Sequence, residues 1–336
     1  MAFPQHLQIQ EEFDVMAKFT ALITDYAWPD VEIERKTLAA ADAELIVAPA
    51  DQRDAASLAK LAAAHQVDAI LTNWSKVTQE VIAASPKVKI VSRLGIGLDN
   101  IDVAYCTSQK IPVTNVPDYC LIEVAEHSMA LILSMARKVA MYHHETMNGR
   151  YVLQAGPKLR RIEGQTLGIV GLGNIGRKLA TKAIGLGMKV IATSRSQRDP
   201  LPGVEFVSLE TLLKTSDYIS LHLPATPETR KMISKPQFAM MKPTAYLINT
   251  ARGALIDHPA LAEALNAGQL AGAALDVQDP EPPDLLIAPY NDPRVVVTPH
   301  AAFVSEESLE NLRSRTSQQV ADLLSGKRPE NIVNGL

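Results

Sequence analysis

An apolar run at residues 166–170 leads directly into three glycines with the spacing G-x-G-x-x-G, at Gly171, Gly173 and Gly176. The residues that follow, 177–184, have the pattern of a helix. In such a strand–turn–helix unit, the first glycine makes the tight turn and the second lets the backbone approach a pyrophosphate. The third lets the helix pack against the strand. The pattern predicts an α/β fold that binds a dinucleotide, with an ordinary glycine-rich turn as the alternative.

The start of this helix is the predicted pyrophosphate site. Its first N–H groups have no partner within the helix, and its positive dipole end favours negative charge. The predicted contacts are Gly171, Gly173, Asn174, Ile175 and Gly176.

Short apolar runs alternate with helical stretches along the rest of the chain. The runs before the glycines are 19–24, 44–47, 68–72, 88–92 and 111–115, and six runs begin at the glycine unit, at 166–170, 189–193, 218–222, 245–249, 273–277 and 295–298. This alternation indicates parallel sheets with helices on both faces.

The predicted fold class is therefore α/β, with two Rossmann-like doubly wound parallel-sheet domains and an interdomain cleft. Residues 1–112 form a flavodoxin-like substrate-binding domain, which the helix at 306–324 and the tail complete, as residues 304–336. Residues 113–303 form the NAD(P)-binding Rossmann domain, because six strands are the count of a complete dinucleotide-binding fold.

Composition and charge indicate which classes of partner the protein binds and in which cellular compartment it is expected. The 336 residues have a formal net charge of -4 and no Lys/Arg-rich run, which argues against nucleic acid as a partner. The most apolar run, 129–136, is far too short for a membrane span, and no secretory signal is evident. Two cysteines without metal spacing predict free thiols in the cytoplasm and no metal site.

The end of the second strand of the Rossmann unit bears on which nicotinamide is used. NAD sites usually place Asp or Glu there for the ribose 2′-hydroxyl, whereas this strand continues into Ser194, Arg195 and Ser196. Serine and arginine can bind and neutralise a 2′-phosphate. We predict a preference for NADP(H); NAD(H) is the alternative, with Arg195 stacked on adenine.

Three chemically suggestive side chains follow successive strands of the same domain. Arg252, Glu281 and His300 come after the strands at 245–249, 273–277 and 295–298. Ligands of open α/β sheets bind at this edge. Reducing a 2-keto acid requires a cation for the carboxylate and keto oxygen, which fits Arg252. It also requires an acid for the developing alkoxide, which fits His300 with Glu281 as its orienting partner.

Each of these residues also has a structural interpretation. Arg252 is compatible with a helix start, Glu281 with a solvated loop and His300 with a packed core position. His222, at the end of the strand 218–222, is predicted to line the nucleotide site, and the other histidines are interpreted as structural or surface groups.

Together these stretches resemble the D-isomer-specific 2-hydroxyacid dehydrogenase family, from about residue 45 to residue 334. The matching segments are GIGLDNID at 95–102, NVP at 115–117, the glycine fingerprint, SLHLP at 220–224, MKP at 241–243, NTARG at 249–253, ALDV at 274–277, EP at 281–282 and TPH at 298–300. The resemblance implies that Arg252, Glu281 and His300 are catalytic. It also implies a homodimer that forms through the cofactor domain.

Further contacts are implied by the resemblance. The backbone of the loop at Ile96 and Gly97 would bind the substrate carboxylate, and Asp276 would contact the nicotinamide carboxamide. Leu94 and Gly95 of the same loop are also predicted to contact the substrate. Additional cofactor contacts are implied at His222, Leu223, Pro224, Thr229, Thr250, Ala251 and Ala302.

Segments 116–120 and 300–303 resemble the branch related to the C-terminal-binding-protein co-repressors. Leu94, Tyr119 and Phe303 are predicted to line an apolar pocket for the substrate side chain, with simple packing as the alternative.

The leading functional hypothesis is a reductase of glyoxylate, hydroxypyruvate or a larger 2-keto acid. One alternative is a nucleotide-sensing scaffold of the co-repressor kind. Another is a phosphite-type dehydrogenase, for which a cation in the 93–97 loop would be expected, and Arg93 precedes that turn.

Overall fold

The computed structural model describes residues 17–153, 159–195 and 200–336. The chain divides into two compact units. The first unit runs to Tyr119 and resumes with Glu310–Leu336, and the second unit is Cys120–Leu309. In these described ranges, no helix combines the length and the apolar character needed to cross a membrane.

Five parallel strands form the sheet of the first unit, in the order β2-β1-β3-β4-β5. They are β1 (Phe19–Ile23), β2 (Ala43–Val47), β3 (Ala69–Thr72), β4 (Ile90–Arg93) and β5 (Val113–Thr114). The helices are α1 (Glu32–Ala39), α2 (Ala55–His65), α3 (Gln79–Ala83) and α4 (Val103–Ser108). This is the flavodoxin-like strand order, which confirms the predicted fold of this domain.

Local sequence explains these elements. Every residue of β3 and β4 is buried, as expected for inner strands of a parallel sheet that is covered on both faces. Helix α2 begins where the Asp54 side chain accepts a hydrogen bond from the N–H of Ser57 at 3.0 Å. It ends at Gln66, which adopts the left-handed conformation that terminates many helices.

Seven parallel strands form the sheet of the second unit, in the order β12-β11-β10-β9-β6-β7-β8. They are β6 (Thr166–Val170), β7 (Lys189–Thr193), β8 (Val204–Phe206), β9 (Tyr218–Leu221), β10 (Tyr246–Asn249), β11 (Gly272–Leu275) and β12 (Val295–Val297). The helices are α5 (Leu121–Arg137), α6 (Val139–Met147), α7 (Asn174–Gly185), α8 (Leu209–Thr215), α9 (Lys235–Phe238) and α10 (His258–Asn266). The central strand order is that of a Rossmann fold.

The sequence-based count of six strands in this sheet was wrong by one. The additional strand, β8, has three residues, pairs with β7 at the edge, and none of its residues is fully buried. Its residues, Val204, Glu205 and Phe206, alternate between apolar and polar, but three residues are too few for this pattern to predict a strand.

Helix α5 owes its apolar character to burial against this sheet. Its inner residues, including Met129, Ile132 and Met135, pack in one cluster with Leu167 and Ile169 of β6. A helix in such a position carries apolar residues around most of its circumference.

Strand β5 belongs to the first sheet, although the sequence analysis assigned it to the dinucleotide-binding domain. The apolar sequence of β5 is compatible with either sheet. The pairing of Val113 with Val91 of β4 places β5 in the first sheet. The last helix, α11 (Glu306–Leu324), begins in the second unit and continues from Glu310 in the first.

Candidate active site

The three predicted catalytic residues follow neighbouring strands of the second sheet. Arg252 lies beyond β10, Glu281 beyond β11 and His300 beyond β12, and these strands are adjacent in the order β12-β11-β10. Because the strands are parallel, their carboxyl ends lie at one edge of the sheet. That edge is where open α/β sheets bind their ligands.

His300 and Glu281 form a direct hydrogen-bonded pair. The imidazole Nδ1 lies 2.9 Å from Oε2 of Glu281, and the two side chains are 27% and 32% exposed. The other carboxylate oxygen, Oε1, accepts the N–H of Gln278 at 2.8 Å. Phe303 meets the imidazole edge-on, with ring centroids 6.1 Å apart. The imidazole is thus held in one orientation and remains partly open to solvent.

The backbone of His300 is held in an unusual conformation. Its φ of +53° lies in the left-handed region, which costs a residue with a Cβ about 1 kcal/mol. The N–H of His300 donates to the carbonyl oxygen of Asp276 at 2.8 Å and to that of Thr298 at 3.1 Å. These bonds fix the imidazole at the turn after β12.

Asp276 organises the same turn through its side chain. The carboxylate is fully buried and accepts the hydroxyl of Thr298 at 2.5 Å and the N–H groups of Ala301 and Ala302 at 2.9 Å each. The loop that carries His300 is therefore anchored on both sides of the imidazole by one carboxylate.

Arg252 leaves β10 in an extended conformation and is positioned by its neighbours. Its carbonyl oxygen accepts the Asn249 side-chain amide at 2.8 Å, and Nη1 donates to the carbonyl of Ala251 at 2.7 Å. The next residue must be glycine, since a Cβ at Gly253 would lie 2.0 Å from the carbonyl carbon of Gln278. This close approach brings the Arg252 segment against the loop that positions Glu281.

Two residues at this edge were missed by the sequence analysis. Gln278 is buried and donates from its amide to the carbonyls of Leu275 and Thr298, which joins the loops after β11 and β12. His127 of α5, interpreted as structural or surface, places Nε2 3.1 Å from the hydroxyl of Thr298 and 3.5 Å from Asp276. Nothing in their residue types or spacing distinguishes them, because both contacts depend on tertiary packing.

The glycine fingerprint has the geometry of a pyrophosphate cradle. Gly171 has a φ of +99°, and a Cβ there would lie 2.2 Å from the carbonyl oxygen of His222. A Cβ at Gly176 would lie 2.4 Å from the carbonyl oxygen of Gly171, so the helix packs closely on the turn. Around Gly173, no atom of the described residues other than its chain neighbours lies within 4 Å of such a Cβ.

Helix α7 begins next to this open space, at Asn174, and its N-cap residue is Gly173, which has no side chain to cap the helix. Its first N–H groups therefore face the region that the absence of a side chain at Gly173 leaves open. The residues present fit the pyrophosphate of a dinucleotide.

The end of β7 has no carboxylate among its described residues. Ser194 is half-buried and Arg195 is exposed, while Ser196 lies outside the described residues. The pKa of Glu228 is lowered, chiefly by a hydrogen bond from the Thr226 side chain and in small part by the charge of Arg195.

Other predicted cofactor contacts lie on loops at the same edge. His222 shares a hydrogen bond with Ser220 at 2.8 Å, and burial lowers its pKa to about 4, so the imidazole is neutral at neutral pH. The Thr229 hydroxyl donates to the carbonyl of Pro224 at 2.8 Å and closes the loop that follows Leu223.

Beyond β10, the hydroxyl of Thr250 shares a hydrogen bond with Ser128 of α5 at 2.8 Å. The N–H of Ala251 donates to the Asn249 side chain at 3.0 Å.

The predicted substrate residues are divided between the units. The loop 94–97 and Tyr119 lie in the first unit, and Phe303 lies in the second. Leu94 is 1% exposed and Phe303 is 8% exposed, whereas Ile96, Gly97 and Tyr119 are half-buried.

Comparison with known proteins agrees with this geometry. The model of the NAD binding domain of D-isomer specific 2-hydroxyacid dehydrogenases matches residues 129–302. A glyoxylate reductase from Thermococcus litoralis is 38% identical over 288 residues, which cover 80% of this chain and 84% of the relative.

Solved structures give the same result. D-lactate dehydrogenase from Aquifex aeolicus, complexed with NAD and lactic acid, has a TM-score of 0.82 and 30% identity, and the match covers 94% of this chain and 99% of that one. An acyclic imino acid reductase (Bsp5), in complex with NADPH and D-Arg, has a TM-score of 0.81 and 28% identity at the same coverage. These matches do not single out the co-repressor-related branch. The chain belongs to the D-isomer specific 2-hydroxyacid dehydrogenase family and is a nicotinamide-dependent oxidoreductase of CH–OH groups.

Proposed function

We propose that the protein reduces small 2-keto acids of the glyoxylate and hydroxypyruvate type to their D-2-hydroxy acids, with His300 as the acid. The observation that carries this proposal is the 2.9 Å hydrogen bond between His300 Nδ1 and Glu281, at the ligand-binding edge of a dinucleotide-binding sheet. The glyoxylate reductase among its relatives supports the same substrate class.

The roles of the side chains follow from their chemistry. A bound nicotinamide supplies the hydride that reaches the 2-carbon. His300 donates a proton from Nε2 to the alkoxide oxygen, because its Nδ1 is engaged by Glu281. The Glu281 carboxylate stabilises the imidazolium before it gives up this proton. The Arg252 guanidinium binds the keto oxygen and the carboxylate of the substrate, for which its planar fork is suited.

The direct test measures oxidation of NADPH and NADH by the wild-type protein with a panel that contains glyoxylate, hydroxypyruvate, pyruvate and longer 2-keto acids. We expect turnover of at least one short 2-keto acid, with formation of the D-product on chiral analysis. An absence of turnover on the whole panel, combined with cofactor-dependent self-association, would support a nucleotide-sensing scaffold instead.

We propose that NADP(H) is the preferred cofactor. Ser194 and Arg195 support this preference, since no carboxylate precedes them at the end of β7 to repel a 2′-phosphate.

Ser194→Asp is expected to reverse this preference. A carboxylate at residue 194 repels the 2′-phosphate, so the ratio of kcat/KM for NADPH to that for NADH should fall by about 30-fold, or ~2 kcal/mol. The matched control is Ser194→Ala, which removes the hydroxyl without adding charge and should lower the ratio by only about threefold, as expected for the loss of one hydrogen bond. A wild-type protein that already favours NADH would show the proposal to be wrong.

We also propose a homodimer formed through the second unit. None of the residues of α6 is buried, and apolar side chains on and after it are highly exposed, including Met147 at 74%, Leu153 at 78% and Tyr151 at 94%. Exposed apolar patches of this kind mark protein–protein contacts. Sedimentation at micromolar concentration should give a dimer mass for the wild type and a lower mass for Met147→Asp.

The proposed location is the cytoplasm. Cys106 and Cys120 are both free and buried, and burial raises the pKa of Cys106 to about 12, which makes this thiol unreactive. Fractionation of cells that express the protein tests this proposal directly.

A further inference from the structure

Arg93, the last residue of β4, has a buried guanidinium directly beneath the loop 94–97. The residue is 8% exposed, and Nε donates to the carbonyl oxygen of Gly97 at 3.0 Å. Nη1 donates to the carbonyl of Leu94, to the carbonyl of Thr72 at 3.3 Å and to the side-chain oxygen of Asn73 at 3.2 Å. One side chain thus joins the first and the last carbonyl of the loop and ties both to the end of β3.

The middle of the loop packs on the same guanidinium. Gly95 has a φ of +153°, and a Cβ at this residue would lie 2.8 Å from Nη1 and 2.9 Å from Cζ of Arg93. Glycine is therefore required both by the backbone conformation and by the proximity of the guanidinium.

The N–H groups of the loop are arranged differently from its carbonyls. None of the described residues accepts a hydrogen bond from the N–H of Gly95, Ile96 or Gly97, while the carbonyl of Gly95 accepts the N–H of Val116 at 3.2 Å. Consecutive N–H groups without protein acceptors form a concave anion site.

We propose that Arg93 is a positioning residue that preorganises this loop for the substrate carboxylate. By holding the carbonyls of Leu94 and Gly97, it keeps the three N–H groups available for the two oxygens of a carboxylate. Its positive charge, behind the loop, adds to the attraction. The inference rests on the proposed function, because the bound group is the carboxylate of a 2-keto acid.

A comparison of a charged substrate with an uncharged one tests this role, because a purely structural role of Arg93 would affect both substrates equally. Arg93→Gln should raise KM for glyoxylate at least about tenfold, with kcat lowered less than about threefold, since charged donors are lost from the loop. For ethyl glyoxylate, which lacks the charge, kcat/KM should differ from wild type by less than about twofold. The KM for the nicotinamide cofactor should not change.

Two further variants complete the experiment. Arg93→Lys keeps the charge without the planar fork, so its KM for glyoxylate should lie between those of the wild type and Arg93→Gln. If Arg93→Gln does not fold, the KM of Arg93→Lys for glyoxylate tests the proposal. The matched control is Arg35→Gln, which removes a half-exposed arginine of the same unit that donates to the carbonyl of Leu45. It should leave both substrates unaffected.

Oxamate binding, measured by calorimetry with cofactor present, separates this inference from the proposed function. If the wild type reduces no 2-keto acid but binds oxamate at least about tenfold more tightly than Arg93→Gln, the proposed function fails and the role of Arg93 stands. Equal losses of activity with glyoxylate and its ester, or an unchanged oxamate affinity in Arg93→Gln, would overturn it.

Discussion

Replacing His300 by glutamine is expected to lower kcat for 2-keto acid reduction by about 10³-fold, within the range for removing a general acid. Glutamine can donate a hydrogen bond but cannot deliver a proton to the alkoxide. The substituted side chain would keep contact with Glu281, whose carboxylate lies 2.9 Å from Nδ1 in the wild type. Steady-state rates of cofactor oxidation at saturating 2-keto acid measure the loss.

The matched controls separate a loss of chemistry from a loss of structure. The affinity for the cofactor should be unchanged, because the fingerprint glycines follow β6 and His300 follows β12. Glu281→Gln should give a smaller loss of about 10²-fold, since the imidazole keeps a polar neighbour but loses the negative charge that stabilises its protonated form. Full activity of His300→Gln would refute the assignment of His300 as the acid.

Much of the fold could be predicted from the sequence because parallel strands leave a strong pattern. Strands β6 and β7 and helix α11 have the predicted bounds. Both strands are largely apolar runs with a neighbouring strand on each side, in a sheet whose faces are covered by helices. The glycine fingerprint could be identified in the sequence for a different reason. Backbone atoms lie so close to Gly171 and Gly176 that any larger residue is excluded there.

The candidate site was only partly predictable. Arg252, Glu281 and His300 could be grouped because strand ends in parallel sheets converge, and the hydrogen bond between Glu281 and His300 agrees with that grouping. Gln278 gave no such indication, and Arg93 was noted only as a cation that precedes the turn of the 93–97 loop. Both side chains donate hydrogen bonds to backbone carbonyl groups that come within reach only in the folded protein. Residue spacing in the sequence does not predict such contacts.

A second large effect is expected at the buried ion pair between α11 and α1. The guanidinium of Arg313 donates to both carboxylate oxygens of Glu34, at 2.9 and 2.8 Å, and to Asp30 at 2.9 Å. Glu34 is fully buried, and Arg313 also lies 5.5 Å from the ring of Trp28. Arg313→Met would leave the Glu34 carboxylate buried without its cation, at a cost of about 3–5 kcal/mol in the free energy of unfolding.

The matched control lies two residues further along the same helix. Arg315 pairs with Asp118 at 2.7 Å and Glu330 at 2.8 Å, but these carboxylates are 52% and 59% exposed. Arg315→Met should therefore cost less than about 1 kcal/mol, as is usual for solvent-exposed ion pairs. Denaturant titration of both variants, followed by tryptophan fluorescence, measures the difference.

Replacing both Glu34 and Arg313 separates two contributions to the free energy of unfolding. One is the cost of a buried charge without a partner, and the other is the stabilisation by the ion pair itself. In Glu34→Leu with Arg313→Met no buried charge remains, so the double variant should be more stable than Arg313→Met alone by at least about 2 kcal/mol. Asp30 needs no replacement, because its side chain is 56% exposed and water can solvate it. If the double variant were as unstable as the sum of the two single variants, the pair would contribute little through charge. The stability of this contact would then come from the packing of Arg313 on Trp28 and the helix surface.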